Sequence, residues 1–297
     1  MNEDPQIICI GAAHWDVIGR VPGTMRHGAD MPGRMTRQPG GVALNIAVAL
    51  AQQAVRVVLL AAVGRDSAGE ALVREIAARG VITDYLHRPE SMPTDSYMAI
   101  EDSRGLIGAI ADSQTLESVG LRLLDPLADG RLGSAIAPFT GMIALDGGLT
   151  HLQLSELAAL PVLSRADLRL VPAAPDKAAR LAPFLNRSGS TFYVNLEEAG
   201  TLCRTKPDNS TSAARAMLAR GATRALVTDG AREVTDADSQ QLFTSAPPVV
   251  AARRVTGAGD AFVATHMAQE LRGATRRAAM EHALRAASHH VASCPEI

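Results

Sequence analysis

Short apolar runs alternate with helical patterns along most of this chain. Residues 6–10 form a mainly apolar run that ends at Gly11, and a second such run covers residues 55–63 after a helical pattern. Residues 68–79 then place apolar side chains at helical spacing and are followed by Gly80, a residue that commonly ends helices. Strands and helices that alternate in this way form a parallel sheet covered by helices. The sequence therefore predicts an α/β fold.

The same alternation returns after residue 113 and continues towards the end of the chain. It predicts strands at residues 142–145, 168–171, 191–194 and 225–228, with two short strands near 233–236 and 240–244. It predicts helices at residues 152–160, 177–185, 213–220 and 274–292. Because no repeat, low-complexity tract or interdomain linker divides these elements, we expect a single domain over residues 1–297.

Residues 94–112 interrupt the alternation. Two strand-like runs, 96–100 and 106–110, flank the turn-forming segment 101–105, and a hairpin cannot belong to a parallel sheet. Together with residues 19–38, which are rich in glycine, proline and arginine, they predict a small second β-sheet. Such a sheet could serve as a lid that keeps water out of a site. Its exposed edge could pair with a second copy, so we expect a homodimer through the lid.

A glycine turn near the end of the chain carries the strongest functional signal. Gly257, Ala258 and Gly259 precede a helical pattern, and a helix N-terminus reached through a glycine turn is an anion site. The carboxylate of Asp260 would repel a phosphate there unless it has a task, and taking a proton from an attacking hydroxyl is such a task. The competing interpretation is an ordinary helix start with a favourable first-turn acid. Both interpretations fit this segment by itself.

Further candidate ligand groups lie near the start of the chain and in the hairpin. Asp16 follows the first strand, where open α/β sheets place ligand groups, and could accept hydrogen bonds from substrate hydroxyls. Gly40 and Gly41 allow the backbone to approach a ligand, and Asn45 in the following helix can reach the same ligand. Asp112 ends the hairpin and could face it as well. Each has a structural alternative, which is an ordinary turn or a capped helix start.

An amide and two carboxylates follow the strand predicted at residues 191–194. Asn195, Glu197 and Glu198 could hold a hydrated Mg²⁺ ion and phosphate oxygens. The alternative is a capped helix start with acids that favour the helix dipole. The final helix carries three histidines that we interpret as surface residues rather than as a metal cluster: His282, His289 and His290.

Composition argues against several classes of partner. The net charge of -2 offers no attraction to nucleic acid or to an anionic membrane, and an aromatic content of 3% offers few stacking platforms for a polymer. No apolar run approaches membrane-spanning length, and residues 1–4 lack the basic region of a signal peptide. Three widely separated cysteines without metal-ligand spacing predict reduced thiols in a cytoplasmic protein: Cys9, Cys203 and Cys294.

The order of these motifs resembles that of the ribokinase-like carbohydrate and nucleoside kinases, the PfkB family. Two motifs carry the resemblance, Gly-Gly-Val-Ala-Leu-Asn at residues 40–45 and Val-Thr-Gly-Ala-Gly-Asp-Ala-Phe at residues 255–262. Between them, segments 63–66, 195–198 and 227–230 follow in the family order. The likeness covers nearly the whole chain. It implies a ribokinase-like three-layer α/β/α sandwich with a central, mostly parallel sheet and a small β-sheet lid from about residues 19–38 and 94–112.

The resemblance also implies a reaction, in which a phosphoryl group passes from ATP, with Mg²⁺, to a primary hydroxyl of a small sugar or nucleoside. It implies Asp260 as the catalytic base, beside an anion hole formed by the backbone of Gly257, Ala258 and Gly259. The residues implied to hold the nucleotide are Asn195, Glu198, Thr228, Gly230 and Thr256, with Mg²⁺ held at Glu198 through water. The residues implied to hold the acceptor are Asp16, His14, Gly40, Gly41, Asn45 and Asp112.

Within the family, the chain looks most like the pseudouridine kinases. The segments that support this subgroup are residues 11–16, 39–42 and 109–112, together with Thr94 and the Val255-Thr256 pair. We therefore expect pseudouridine as the acceptor and pseudouridine 5'-phosphate as the product. The alternative kinase is one of the ribose or ketohexose type. A non-catalytic ligand-binding homologue is the alternative from another class, because function lies in the site rather than in the fold.

Three positions depart from the family pattern. His14 stands where many members have asparagine, and Glu233 stands where glycine is common in the nucleotide loop. Arg254 stands where many members have an aspartate that helps to bind a monovalent cation. The resemblance therefore leaves activation by such a cation open. A nicotinamide-dependent oxidoreductase is disfavoured, because no G-x-G-x-x-G motif follows the first strand.

Overall fold

The computed structural model describes residues 5–293, so the predictions made from residues 1–4 and Cys294 lie outside it. In chain order the strands are β1 (Ile7–Ile10), β2 (His14–Arg20), β3 (Arg34–Gly40), β4 (Val57–Leu60), β5 (Ser96–Asp102), β6 (Gly105–Asp112), β7 (Met142–Asp146), β8 (Asp167–Val171), β9 (Ser190–Asn195), β10 (Arg224–Thr228), β11 (Val234–Asp238) and β12 (Leu242–Ser245). The α-helices are α1 (Val42–Ala51), α2 (Ser67–Ala78), α3 (Gln114–Val119), α4 (Asp125–Ala128), α5 (His151–Ala158), α6 (Leu196–Cys203), α7 (Ser210–Ala219), α8 (Ala258–Leu271) and α9 (Arg276–Ala292).

The larger sheet has eight strands in the order β12-β11-β10-β9-β8-β7-β1-β4. The pairs from β10 to β4 are parallel, and the pairs β10–β11 and β11–β12 are antiparallel. Strand β1 is buried on both faces, since Ile8 and Ile10 pack into one hydrophobic cluster and Ile7 and Cys9 into the other. Helices α1, α2, α8 and α9 cover one face, and α5, α6 and α7 cover the other. The predicted sandwich around a mostly parallel sheet is confirmed.

A second sheet has four strands in the order β3-β2-β5-β6, and we keep the name lid for this sheet without implying a motion. Its β5–β6 hairpin is the one predicted from the sequence. The lid begins at His14, however, and not near residue 19 as predicted, because β2 starts only a few residues after β1 ends. One face of β2 packs on the main body, where the indole nitrogen of Trp15 donates a hydrogen bond to the Ala68 carbonyl over 2.8 Å. Strand β2 mixes buried and open positions, so its sequence is not the uniformly apolar run that predicts a buried strand.

One predicted helix has a different geometry. The segment predicted at residues 177–185 is a 3₁₀-helix over Pro175–Phe184, and it contains Pro183. Proline has no N–H group to donate within a helix and its ring crowds the preceding turn, so a regular α-helix is disfavoured there. Elsewhere the predicted and observed boundaries differ by a few residues.

None of the helices in the described part of the chain has the length and apolar character that crossing a bilayer requires.

Candidate active site

Asp260 lies in the first turn of α8, and its carboxylate faces α1. The helix begins after Gly257, whose φ of 87° is left-handed and therefore suits glycine. The side-chain nitrogen of Asn45, in α1, donates a hydrogen bond to Asp260 Oδ2 over 2.8 Å. Two motifs that are 215 residues apart in the sequence thus meet at one pair of atoms.

The pKa of Asp260 is raised to about 7, and burial is the main cause. The hydrogen bond from Asn45 opposes this shift, because it stabilises the charged carboxylate. The negative charges of Asp146, Glu198 and Asp16 add to the shift. A carboxyl group with a pKa near neutrality is matched to general base catalysis at ordinary pH.

The turn before α8 offers backbone N–H groups at the helix N-terminus. The Ala258 N–H donates to the Val255 carbonyl over 3.1 Å, so this group is used within the turn. Among the described residues, the N–H groups of Gly259 and Asp260 make no such hydrogen bond. The free donors and the helix dipole point to the same place, as an anion site requires. The anion hole predicted from Gly257, Ala258 and Gly259 stays a prediction. The turn leaves the N–H groups of Gly259 and Asp260 available to an anion, while the Ala258 N–H is used within the turn.

The glycine pair at residues 40–41 brings backbone against β2 and the turn after β1. A Cβ atom on Gly40 would lie 2.3 Å from the Asp16 carboxylate, and one on Gly41 would lie 2.3 Å from the Ala12 carbonyl oxygen. His14 Nδ1 lies 3.1 Å from Asp16 Oδ1 without hydrogen-bond geometry, and it is buried without a partner. Asn45 contacts Asp260, and the charges of Asp16 and Glu198 are close enough to raise its pKa, so we call the space between these groups the crevice.

The lid adds an aromatic residue that the sequence analysis did not assign. Tyr97 of β5 is the register partner of Asp16 in β2, so both side chains lie on one face of the lid. The rings of Tyr97 and His14 have centroids 6.4 Å apart. Burial raises the pKa of Tyr97, and the charge of Asp16 adds to the shift. The strand alternation in residues 96–100 was the available signal, but it does not reveal which face meets the site.

Asp112 is not brought to this group of residues. It is exposed, and its register partner is Ser96, which neighbours Tyr97 and so lies on the opposite face of the lid. Its carboxylate accepts a hydrogen bond from the Gln114 N–H over 3.4 Å, as an ordinary turn aspartate does. The structure thus favours the turn interpretation for this residue.

The nucleotide-side candidates lie at the carboxyl ends of β9 and β10. Thr228 is the register partner of Asn195 in these parallel strands. Asn195 and Glu198 form a capping box at the start of α6, since the Glu198 N–H donates to Asn195 Oδ1 over 2.9 Å and the Asn195 N–H donates to Glu198 Oε2 over 2.8 Å. The capping interpretation therefore holds for both residues, and it leaves Glu198 Oε1 outside the capping box. Gly230 follows in an exposed turn with a φ of 59°.

Burial raises the pKa of Glu198 to about 7, and the neighbouring Glu197 charge adds to the shift. The Asn195 N–H opposes the shift. Residues 5–293 contain no group of three or more His, Cys, Asp or Glu side chains arranged to hold a metal ion. A divalent ion at Glu198 would therefore need oxygen ligands from water and phosphate, which is the usual manner of Mg²⁺ binding.

The last helix, α9, contacts the turn that precedes α8. His290 of α9 lies with Nε2 2.8 Å from the Thr256 carbonyl oxygen, and because a carbonyl can only accept, this nitrogen carries the proton. The backbone N–H of Arg254 donates to the Val291 carbonyl over 3.1 Å. The backbone at position 254 is thus held against the end of α9. This position, where many family members have an aspartate, carries a basic side chain here. His290 has a structural role that its interpretation as a surface residue did not include.

Comparisons with known proteins agree with this geometry. The pfkB family carbohydrate kinases match over residues 4–293. The pseudouridine kinase of Escherichia coli is 34% identical over 113 residues, a match that spans 38% of this chain and 36% of the relative's own length. A solved carbohydrate kinase from Agrobacterium tumefaciens is 26% identical with a TM-score of 0.78, over 95% of this chain and 89% of that one. The Arabidopsis thaliana ribokinase, solved with ribose and ATP, is 16% identical with a TM-score of 0.76, over 97% and 93% of the two chains.

The fold and the motif order together are those of the ribokinase-like sandwich, on which kinases of small molecules are built. The chain belongs to the pfkB family of carbohydrate kinases, a family of phosphotransferases. The resemblance stated from the sequence is confirmed.

Proposed function

We propose that this protein transfers the γ-phosphoryl group of ATP to a primary hydroxyl of a nucleoside or sugar, with pseudouridine as the acceptor. The observation that carries the proposal is the Asp260 carboxylate, which has a pKa near 7 and lies at a helix N-terminus with free N–H groups. Asn45 holds this carboxylate from the acceptor side of the crevice. A base and an anion site within one turn of helix suit attack of an alcohol on a phosphoryl group.

In the proposed mechanism Asp260 takes the proton of the attacking hydroxyl. The N–H groups of Gly259 and Asp260 stabilise negative charge on the transferred group. Asn45 keeps the base oriented, while Asp16 and His14 bind acceptor hydroxyls. Most of the catalysis is positioning and charge stabilisation, because phosphoryl transfer needs little covalent help from the protein.

The nucleotide is proposed to lie along the ends of β9 and β10 and the turn before α8. Asn195 and Glu198 would face its phosphates, and Thr228, Gly230 and Thr256 would border it. The Glu198 oxygen outside the capping box fits a magnesium ion held through water. That ion would supply positive charge that offsets the negative charge of the phosphates. The ATP-bound state of the Arabidopsis thaliana ribokinase, a fold relative, supports the choice of nucleotide.

Pseudouridine is proposed because the partial relative in Escherichia coli bears that name and because the lid offers rings beside Asp16. Tyr97 and His14 can border a planar base, which a free sugar lacks. We expect ADP release to be fastest with pseudouridine in a coupled assay that compares pseudouridine, uridine, adenosine, ribose and fructose. Faster release with ribose or fructose would instead identify a sugar kinase. If none of these compounds gives ADP release above background, a non-catalytic homologue would be favoured.

We further propose that the lid joins two copies of the chain. Strand β6 is an edge of the lid sheet, and all 8 of its residues are exposed. Leu106 is 61% exposed and Ile110 is 70% exposed, an unusual apolar content for an unpaired edge. Light scattering is expected to give the mass of a dimer, and Ile110→Lys is expected to give a monomer. A wild-type monomer at high micromolar concentration would refute the dimer.

The location proposed for this enzyme is the cytoplasm. Cys9 and Cys203 are both buried as free thiols, which suits a reducing compartment.

A further inference from the structure

Asp146, at the end of β7, is a buried carboxylate that the mechanism above does not use. It is 1% exposed. Its Oδ2 accepts hydrogen bonds from the Ala12 N–H over 2.9 Å and from the Ala43 N–H over 3.1 Å. Its Oδ1 accepts one from the Gly148 N–H over 2.8 Å. The carboxylate therefore joins three segments that are far apart in the sequence.

The surrounding chain is shaped to admit this carboxylate. A Cβ atom on Gly11 would lie 2.1 Å from Asp146, and one on Gly148 would lie 2.8 Å from its Oδ1. Real side chains do not approach so closely, so both positions require glycine while Asp146 stays in place. A buried carboxylate with three N–H donors is also costly to disturb, since each donor would lose its partner.

The same carboxylate completes the start of α1. Gly41 is the N-cap of this helix and has no side chain to accept from the first-turn N–H groups. Asp146 accepts from one of them, at Ala43, two residues before Asn45. Because Asn45 in turn donates to Asp260, a continuous path of contacts leads from Asp146 to the proposed base.

We propose that Asp146 is a positioning residue of the phosphoryl transfer. Its carboxylate holds together the turn after β1, the start of α1 and the turn after β7. These three segments form one wall of the site, behind the acceptor and the base. This inference rests on the proposed function for the role of Asp260. It extends that function to a residue that does not touch the reacting atoms.

The electrostatics of the site agree with this placement. The Asp146 charge raises the pKa of Asp260, after the larger contribution of burial, and Glu198 and Asp16 raise it further. Asn45 is the group that lowers it. Asp146 itself has a raised pKa because of burial, which its three N–H donors and the nearby His14 oppose. The Asp146 charge also raises the pKa of Cys9, after the larger contribution of burial.

The test compares Asp146→Asn with Asp95→Asn. Asp95 is a matched control because it is 4% exposed and accepts from the Thr115 and Leu116 N–H groups at the start of α3. It is not among the charges that shift Asp260. For Asp146→Asn we expect kcat/KM for the acceptor to fall roughly tenfold, and the acid limb of its pH profile to move down by roughly half to one pH unit. For Asp95→Asn we expect lower thermal stability with the acid limb unmoved.

Gly148→Ala tests the position of the Asp146 carboxylate separately from its charge. The added methyl group presses on Asp146 Oδ1 but leaves its charge in place, so kcat/KM should fall with little movement of the acid limb. Amide hydrogen exchange gives a readout that needs no activity. Protection at Ala12, Ala43 and Gly148 should fall in Asp146→Asn and stay in Asp95→Asn.

The outcomes separate the two proposals. An Asp146→Asn protein with the acid limb, acceptor kinetics and amide protection of the wild type would overturn the positioning role. A wild-type protein that phosphorylates no acceptor would overturn the proposed function alone. The exchange of the three amides would then still decide whether Asp146 holds these three segments together.

Discussion

Replacing Asp260 by asparagine is expected to lower kcat by roughly 10²-fold or more, because proton transfer by a positioned base contributes a factor of that size. Asparagine keeps the shape of the side chain and an oxygen that Asn45 can donate to, so the fold and the binding of ATP and acceptor should change little. Steady-state kinetics with both substrates varied would measure the loss in kcat against nearly constant dissociation constants.

The pH profile gives this variant a second readout. In the wild type, kcat/KM for the acceptor should fall below about pH 7, because the raised pKa of Asp260 means that the group is protonated there and cannot accept a proton. The part of that limb that reflects Asp260 should be absent in Asp260→Asn, and any fall that remains belongs to Glu198, whose pKa is also raised to about 7. Glu70→Gln is a suitable control, since Glu70 is also a first-turn acid but belongs to α2 and pairs with Arg88. Wild-type turnover in Asp260→Asn would remove the proposed base.

The sequence predicted most strands of the main sheet because they are buried on both faces, unlike the edge strand β12. Such strands are short, uniformly apolar runs, as Ile7–Ile10 illustrates, and they can be found without knowledge of their neighbours. Strand β2 was harder, because one face packs on the body through Trp15 while the other carries Asp16 toward the crevice. Its pattern reflects two environments that only the assembled lid defines.

The site was predictable where it depends on backbone chemistry and unpredictable where it depends on distant partners. The glycine turn at residues 257–259 signals its own geometry, since a left-handed φ favours glycine. Asp146 gave no such signal, because its three donors come from residues 12, 43 and 148 and meet only in the folded chain. Asp112 misled in the opposite direction: its position at a strand end was correct, but the register turns it to the other face of the lid.

Gly40→Ala is expected to lower kcat/KM for the acceptor by roughly 10²-fold, since a displacement of about 1 Å in a positioning group can cost that much. The new Cβ atom would lie 2.3 Å from the carboxylate of Asp16, a distance that side chains essentially never adopt. Because Gly40 does not have a left-handed φ, the strain comes from this contact and not from the backbone. Asp16 must therefore rotate away, and the acceptor loses a hydrogen-bond partner.

The effect of Gly40→Ala should be confined to the kinetic constants for the acceptor. The proposed nucleotide site lies at the ends of β9 and β10, in the other sheet, so KM for ATP should stay near the wild-type value. Gly108→Ala provides the matched control, because Gly108 is also in a lid strand but a Cβ atom there meets nothing within 4 Å. If Gly40→Ala bound and phosphorylated the acceptor as Gly108→Ala does, Asp16 would not be an acceptor ligand, and the substrate would have to lie farther from β2 than the crevice geometry requires.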